Sequence, residues 1–114
     1  SIIECSSSVP VIATGGIRTG LDIAKSIALG SSVASAALPF VEPAMKGKRE
    51  VEESISRLLG ELKVAMFLCG CGDMKKLHSA PTVISGWTKE YIELRGFEAK
   101  EFALRSEKSD FQLV

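Results

Sequence analysis

The sequence predicts an α/β fold in which short parallel strands alternate with helices. Two apolar segments, 9–14 and 32–40, are rich in β-branched or small residues, as buried parallel strands are. Segments 21–29 and 50–68 instead repeat their apolar residues at helical spacing. The order strand, helix, strand, helix therefore indicates a crossover connection between parallel strands of one sheet.

Composition sets the first limits on function. The 114 residues are 46% hydrophobic and carry 14 basic and 14 acidic side chains, so the formal net charge is zero. The apolar fraction disfavours disorder, and the scattered basic residues disfavour nucleic-acid binding. No apolar run reaches the roughly 18–20 residues that cross a membrane. Three cysteines and one histidine indicate reduced thiols in a cytoplasmic protein and disfavour a zinc site.

The first strand ends at the paired glycines Gly15-Gly16. Thr19 and Asp22 have the spacing of a capping box, which predicts the start of the helix over 21–29. Gly30 is placed to end that helix, because glycine adopts the left-handed conformation common just after a helix.

The second strand, 32–40, is expected to end where Pro39 and Pro43 break the extended pattern. The longer amphipathic helix over 50–68 should place its acidic residues, Glu61 among them, toward its N-terminal side or the solvent face.

Shorter elements are predicted after this helix. Asp73 is expected to cap a short helix that ends at Leu77, and Thr88 to cap a last helix over 89–95. Residues 97–114 mix charges with isolated aromatic residues, so we expect a weakly structured tail. The predicted division is therefore 1–96 for the folded portion and 97–114 for the tail.

One segment, 14–20, has the composition of an anion site. Glycines at the carboxyl end of a strand let backbone N–H groups face a phosphate, and Arg18 adds a permanent charge. The next strand ends in the small residues Ala36 and Ala37, so its amides can reach the same oxygens. Taken alone, the glycine pair is as often a tight turn, and Arg18 is more often solvated. Their pairing with a second small-residue turn favours the site, which (β/α)8 barrels often form after strands seven and eight.

The run over 14–30 resembles the FMN-phosphate region of the type 2 isopentenyl-diphosphate isomerases, which are FMN-dependent TIM-barrel enzymes. The resemblance covers about 9–96 and is carried by four further stretches: 36–39, 61–70, 86–90 and 95–96. The α-hydroxy-acid oxidases have a similar Gly-Gly-Ile-Arg turn. They typically follow it with Gly-Arg-Pro, where this sequence has Ala37-Leu38-Pro39.

The resemblance implies a site and a cofactor. Gly16, Ile17 and Arg18 would bind the FMN phosphate from one turn, and Ala37 and Leu38 from the next, while Gly15 shapes the first turn. A complete barrel needs roughly 200 residues or more. The expected fold is therefore a partial TIM (β/α)8 barrel, about its last two βα units plus C-terminal helices.

The resemblance also implies an activity in isoprenoid biosynthesis, the interconversion of isopentenyl and dimethylallyl diphosphate. The whole family enzyme is expected to be a homo-oligomer that uses FMN, Mg2+ and NADPH and takes a small diphosphate substrate. No catalytic residue, metal ligand or NADPH site is recognised in these 114 residues, so the chain alone should be inactive.

Two alternatives stay open on the sequence. The chain could belong to an FMN-dependent α-hydroxy-acid oxidase or dehydrogenase, which shares the first turn. It could also be a self-associating barrel fragment without activity, because a partial barrel exposes strand edges that pair with other chains. His78, Cys69 and Cys71 have no evident catalytic partners and are interpreted as surface, core or loop residues.

Overall fold

The computed structural model describes residues 2–3 and 9–105. Two short strands, β1 (Ile12–Ala13) and β2 (Val33–Ala34), pair in parallel, with Ile12 opposite Val33 and Ala13 opposite Ala34. The helices of the region from 9 to 105 are α1 (Gly20–Ala28), α2 (Leu38–Lys46), α3 (Lys48–Leu68), α4 (Met74–His78), α5 (Gly86–Leu94) and α6 (Ala99–Ala103). The chain divides into two compact units between His78 and Ser79.

The first unit contains the β1–α1–β2 crossover and confirms the predicted α/β class with parallel strands. Its apolar core lies where α1 packs against β2, α3 and α4. The buried residues of this core are Ala13, Ile17, Ala24, Ile27, Ala28, Cys71 and Leu77.

The start and end of α1 confirm the sequence prediction. The Asp22 N–H donates to Thr19 Oγ1 at 3.1 Å, and the Thr19 N–H donates to Asp22 Oδ2 at 3.0 Å, so both halves of the capping box are present. Leu29 is the C-terminal cap, and Gly30 follows it with φ of +112°. These contacts are local in sequence, which is why the pattern predicts them.

The predicted strand over 32–40 is wrong beyond Ala34, because α2 begins at Leu38. Pro39 lies in the first turn of this helix, where its missing N–H has no intrahelical partner to lose. Pro43 lies inside α2, a position where proline usually ends or kinks a helix. The strand therefore ends at Ala34, before either proline, and both prolines lie in the helix that follows.

The predicted helix over 50–68 is confirmed, with α3 starting at Lys48. Gly47 alone separates α2 from α3 and has φ of +143°, in the range that favours glycine. Asp73 caps α4 as predicted, since its Oδ1 accepts from the Lys76 N–H at 2.7 Å.

The second unit begins at Ser79. Its first helix, α5, starts at Gly86 with Ser85 as the N-cap, so the prediction that Thr88 caps this helix is wrong. The predicted weakly structured tail contains α6, whose Ala99 and Phe102 are buried. The Thr82 N–H donates to the Phe102 carbonyl oxygen at 2.8 Å, which ties that helix to the start of the unit. Residues 106–114 lie outside the described part of the chain.

Within the described ranges, no helix combines the length and the apolar character that crossing a membrane requires.

Candidate phosphate-binding site

The two predicted turns leave the sheet at the same end, the carboxyl end of its two parallel strands. The Ser35 N–H donates to the Ala13 carbonyl oxygen at 2.8 Å, which continues the parallel ladder to the carboxyl ends of both strands. Because Ala13 and Ala34 are paired, Gly16 and Ala37 each lie three residues beyond the same rung. Parallel pairing thus brings the turn after β1 and the turn after β2 together.

The first turn is built by two glycines in the left-handed region. Gly15 has φ of +81° and Gly16 has φ of +84°, and a side chain added at either would meet no protein atom within 4 Å. Ile17 is buried and fixes the turn to the core. In the described part of the chain, the Gly16 and Ile17 N–H groups make no hydrogen bond to another residue, so they are open donors.

Arg18 differs from these two residues because its amide is already used. Asp22 Oδ2 accepts from the Arg18 N–H at 3.1 Å and from the Thr19 hydroxyl at 2.9 Å. The Arg18 N–H, followed by the Thr19 hydroxyl, holds the pKa of the Asp22 carboxyl below its ordinary value of 3.8, while desolvation acts in the opposite direction. Only the guanidinium of Arg18 is therefore offered to a ligand.

The second turn ends at the start of α2. Ala37 is the N-cap of this helix and makes no capping hydrogen bond with its side chain. The first N–H groups of a helix have no intrahelical acceptor, and Pro39 contributes none, so Ala37 and Leu38 supply the open donors here. These N–H groups also lie at the positive end of the helix dipole.

A cavity of about 630 Å³ is lined by one residue at the end of each turn. Arg18 and Leu38 both line it, whereas Gly16 and Ala37 do not, and Ile17 lines a second cavity of about 290 Å³ at the end of β1. The larger cavity runs between α2 and α3, and its other lining residues are Pro39, Glu42, Pro43, Lys46, Glu50, Glu53, Ser54 and Arg57.

The charges of this cavity are partly neutralised by its own residues. Lys46 Nζ lies 2.6 Å from Glu42 Oε1, and this contact raises the pKa of Lys46 and lowers that of Glu42. Among the described residues, Arg18 and Arg57 have no carboxylate partner. The two arginines are the cationic groups that remain available to an anion in this cavity.

The sequence did not reveal the role of Glu61. Its Oε2 accepts from the Gly20 N–H at 2.7 Å, in a partly buried contact between residues 41 positions apart. The expectation that Glu61 lies toward the N-terminal side or the solvent face of α3 is wrong, because Glu61 is half-buried and contacts the first residue of α1, to which no rule of sequence spacing links it. The only signal in the sequence that singled out this region was the resemblance of residues 61–70 to the isomerase family.

The remaining candidate residues form no further site within the described ranges. No group of three or more His, Cys, Asp or Glu side chains could hold a metal ion there. Cys69 is exposed, whereas Cys71 is buried and burial raises the pKa of its thiol. Cys5 lies outside the described residues.

Comparison with known proteins identifies the family. A family model described as FMN-dependent dehydrogenase matches residues 2–84. Isopentenyl-diphosphate delta-isomerase of Methanosarcina mazei is 62% identical over 104 residues, 91% of this chain and 28% of the relative. The proteins of the same name from Methanococcoides burtonii and Archaeoglobus fulgidus are 59% and 48% identical, over 94% and 84% of this chain and 30% and 28% of their own lengths.

The chain thus spans less than a third of the length of these relatives. The family model, in contrast, matches most of the chain and includes both turns of the candidate site. The chain therefore belongs to the FMN-dependent dehydrogenase family.

Proposed function

We propose that the chain is the C-terminal part of an FMN-dependent isopentenyl-diphosphate isomerase and supplies the FMN-phosphate-binding turns of its TIM barrel. The observation that supports this proposal is that both turns leave the carboxyl end of the paired strands, where Arg18 from the first turn and Leu38 from the second line one cavity. The names of relatives up to 62% identical support the isomerase activity.

The proposed site suits a phosphate dianion. The Gly16 and Ile17 N–H groups would donate from the first turn, and the Ala37 and Leu38 N–H groups from the second. The Arg18 guanidinium would neutralise charge from the cavity side. Side chains at Gly15 or Gly16 would extend into the open space where we place the phosphate, which agrees with the need for glycine there.

The cofactor and the residues of this chain have different roles in the proposed enzyme. Bound FMN supplies the acid–base chemistry of the isomerisation, as the resemblance to the isomerase family implies. The residues of this chain anchor the phosphate and so fix the position of the flavin relative to the strands. We assign no catalytic residue here, and we expect no isomerase turnover from the 114 residues alone.

The proposal also includes properties of the whole enzyme that we assign to no residue of this chain. We propose a cytoplasmic homo-oligomer that acts on a small diphosphate with the help of Mg2+ and NADPH. These features follow from the resemblance of the chain to the isomerases.

A second candidate is an FMN-dependent α-hydroxy-acid oxidase or dehydrogenase, which the description of the family model favours. The second turn disfavours it, since Ala37-Leu38-Pro39 lacks the arginine typical of those enzymes. The same phosphate site would serve either activity, so the two candidates differ in substrate and not in cofactor.

The proposal is tested in an exchange protein, defined as the Methanosarcina mazei relative in which this chain replaces the segment it matches. We expect the purified exchange protein to retain FMN and to convert isopentenyl diphosphate to dimethylallyl diphosphate. Flavin absorbance after gel filtration measures retention, and product analysis measures turnover. The unmodified relative is the positive control, and the relative truncated before the matched segment is the negative control.

Two results would contradict the proposal. If the exchange protein folds but retains no FMN, the proposed phosphate site is wrong. One that retains FMN, fails to isomerise the diphosphate and oxidises 2-hydroxy acids would favour the second candidate.

A further inference from the structure

We propose that Glu61 is a positioning residue that fixes the first phosphate-binding turn against α3. This inference rests on the proposed function, because it concerns the turn to which we assign the FMN phosphate. It starts from the 2.7 Å hydrogen bond that the Gly20 N–H donates to Glu61 Oε2.

The contact forms where α1 and α3 lie unusually close. Gly20 is buried, and a side chain there would overlap the Leu62 backbone nitrogen and lie 2.5 Å from the Leu58 carbonyl oxygen. Gly20 has no positive φ, so glycine is needed here for space and not for backbone conformation. Because the two helices touch at this point, Glu61 reaches an N–H group that a longer separation would put beyond it.

The segment that Glu61 contacts is linked by its own hydrogen bonds. Asp22 Oδ2 accepts from the Arg18 N–H, the Thr19 N–H and the Thr19 hydroxyl at 2.9–3.1 Å. Residues 18–22 are therefore one hydrogen-bonded block, and Glu61 attaches that block to α3. Arg18 is the first residue of this block and directly follows Gly16 and Ile17, whose N–H groups are the open donors.

The helix that carries Glu61 also contacts the second turn. Helix α3 packs along α2, whose first residues are Leu38 and Pro39, and the cavity shared with Arg18 lies between these two helices. One helix therefore sets the separation of the two turns. Loss of the Glu61 contact should let the first turn move relative to the second.

Glu61 also influences where a phosphate can bind. Asp22 accepts from the Arg18 and Thr19 N–H groups, Glu61 accepts from that of Gly20, and the Thr19 hydroxyl accepts from that of Asp22, so side-chain oxygens occupy these four amides around the start of α1. A phosphate is consequently directed to the Gly16 and Ile17 amides and to the start of α2.

The test compares FMN with riboflavin, which lacks the phosphate, in the exchange protein. We expect Glu61→Ala to weaken FMN binding about tenfold or more, because the turn is no longer fixed before binding. Riboflavin affinity should change by less than about twofold, since riboflavin makes no phosphate contact. Glu61→Gln should retain FMN affinity, because its carbonyl oxygen accepts the same hydrogen bond. Lys63→Ala, at an exposed position of α3, is the matched control.

The proposal is overturned if Glu61→Ala leaves FMN affinity unchanged, or if it weakens FMN and riboflavin equally, as a general loss of packing would. It is also overturned if Glu61→Gln binds FMN as weakly as Glu61→Ala, because the hydrogen bond would then not be the anchor.

Amide hydrogen exchange on the 114-residue chain gives a readout that needs no flavin. Glu61→Ala should speed exchange at Thr19 and Gly20 and leave Val33 and Ser35 unchanged, whereas Glu61→Gln should resemble the unmodified chain. If the exchange protein binds no FMN, the proposed function fails, and hydrogen exchange still decides whether Glu61 fixes the turn. Equal exchange in all three chains would overturn the positioning role.

Discussion

Arg18 illustrates how one residue contributes through two groups at different places. Its backbone N–H belongs to the hydrogen-bonded block with Asp22, while its guanidinium lines the cavity beside Leu38. The sequence predicted a binding arginine from the Gly-Gly-Ile-Arg turn, but it could not predict that the amide of the same residue is occupied. That distinction depends on the capping geometry of the following helix.

Replacing Arg18 tests the proposed charge at the site. We expect Arg18→Ala in the exchange protein to weaken FMN binding by roughly 1.5–3 kcal/mol, the range of a hydrogen bond to a charged group. Fluorescence titration with FMN measures the change. Arg49→Ala is the matched control, because Arg49 is exposed, does not line the cavity and pairs with Glu53 at 2.9 Å. Unchanged FMN affinity in Arg18→Ala would show that Arg18 is not a ligand.

Gly16 tests the backbone geometry of the same turn. With φ of +84°, an alanine costs roughly 1–2 kcal/mol of backbone strain, and a β-branched valine costs more and extends further toward the phosphate. We therefore expect FMN affinity to fall in the order Gly16, Gly16→Ala, Gly16→Val. Gly60→Ala is the control, because Gly60 lies inside α3 without a positive φ and should not affect the flavin. Equal FMN affinity in the two Gly16 variants would refute this reasoning.

At the scale of elements, local signals predicted more than distant ones. The capping box of α1, its glycine end and the Asp73 cap of α4 were all predictable, because each depends on residues within a few positions of one another. Helix α2 was not predicted because proline usually breaks a helix, although a proline in the first turn, such as Pro39, has no intrahelical hydrogen bond to lose. The Glu61–Gly20 contact could not be predicted at all, since it forms only when α1 and α3 pack.

The cap of α1 predicts a pH dependence. The pKa of Asp22 is lower in the folded chain than its ordinary value of 3.8, so the folded state favours the ionised carboxylate. This contribution to stability is present above that value and is lost as pH falls through the lower folded pKa. We expect the thermal midpoint to drop over this acid range, and Asp22→Asn to reduce that part of the drop.

Thermal unfolding followed by circular dichroism between about pH 2 and pH 6 measures this effect, since the range brackets the ordinary pKa of an aspartate. Glu52→Gln is the matched control, because it removes an exposed carboxylate of α3 that does not cap a helix. An identical pH profile in Asp22→Asn and in the unmodified chain would contradict the assigned cap.

At the scale of the whole chain, the small sheet leaves apolar surface uncovered. Ile12 and Val33 lie opposite each other across the two strands, and the two residues are 65% and 51% exposed. A sheet of two strands in the described part of the chain has two open edges, which can pair with strands of other chains. In the proposed full-length enzyme, the rest of the barrel would cover these strands.

We therefore expect the isolated 114-residue chain to self-associate. Size-exclusion chromatography with light scattering, over a range of concentrations, should report species larger than the 12.2 kDa monomer. Replacing Ile12 and Val33 together by serine should shift the population toward monomer, because it removes the apolar face. Val64→Ser, at an exposed position of α3, is the control and should leave the distribution unchanged. A concentration-independent monomer would count against this prediction.

The dependence of both turns on α3 has a consequence for how this region can vary. An α-helix has about 3.6 residues per turn, so one residue inserted between Ser54 and Glu61 would rotate the two by roughly 100° relative to each other. Glu61 would then face away from Gly20 while Ser54 still faced α2. Substitutions along the outer surface of α3 should consequently be tolerated, whereas changes in its length should not. A gap or extra residue in that stretch of a homologous sequence would mark a protein that holds its flavin phosphate differently.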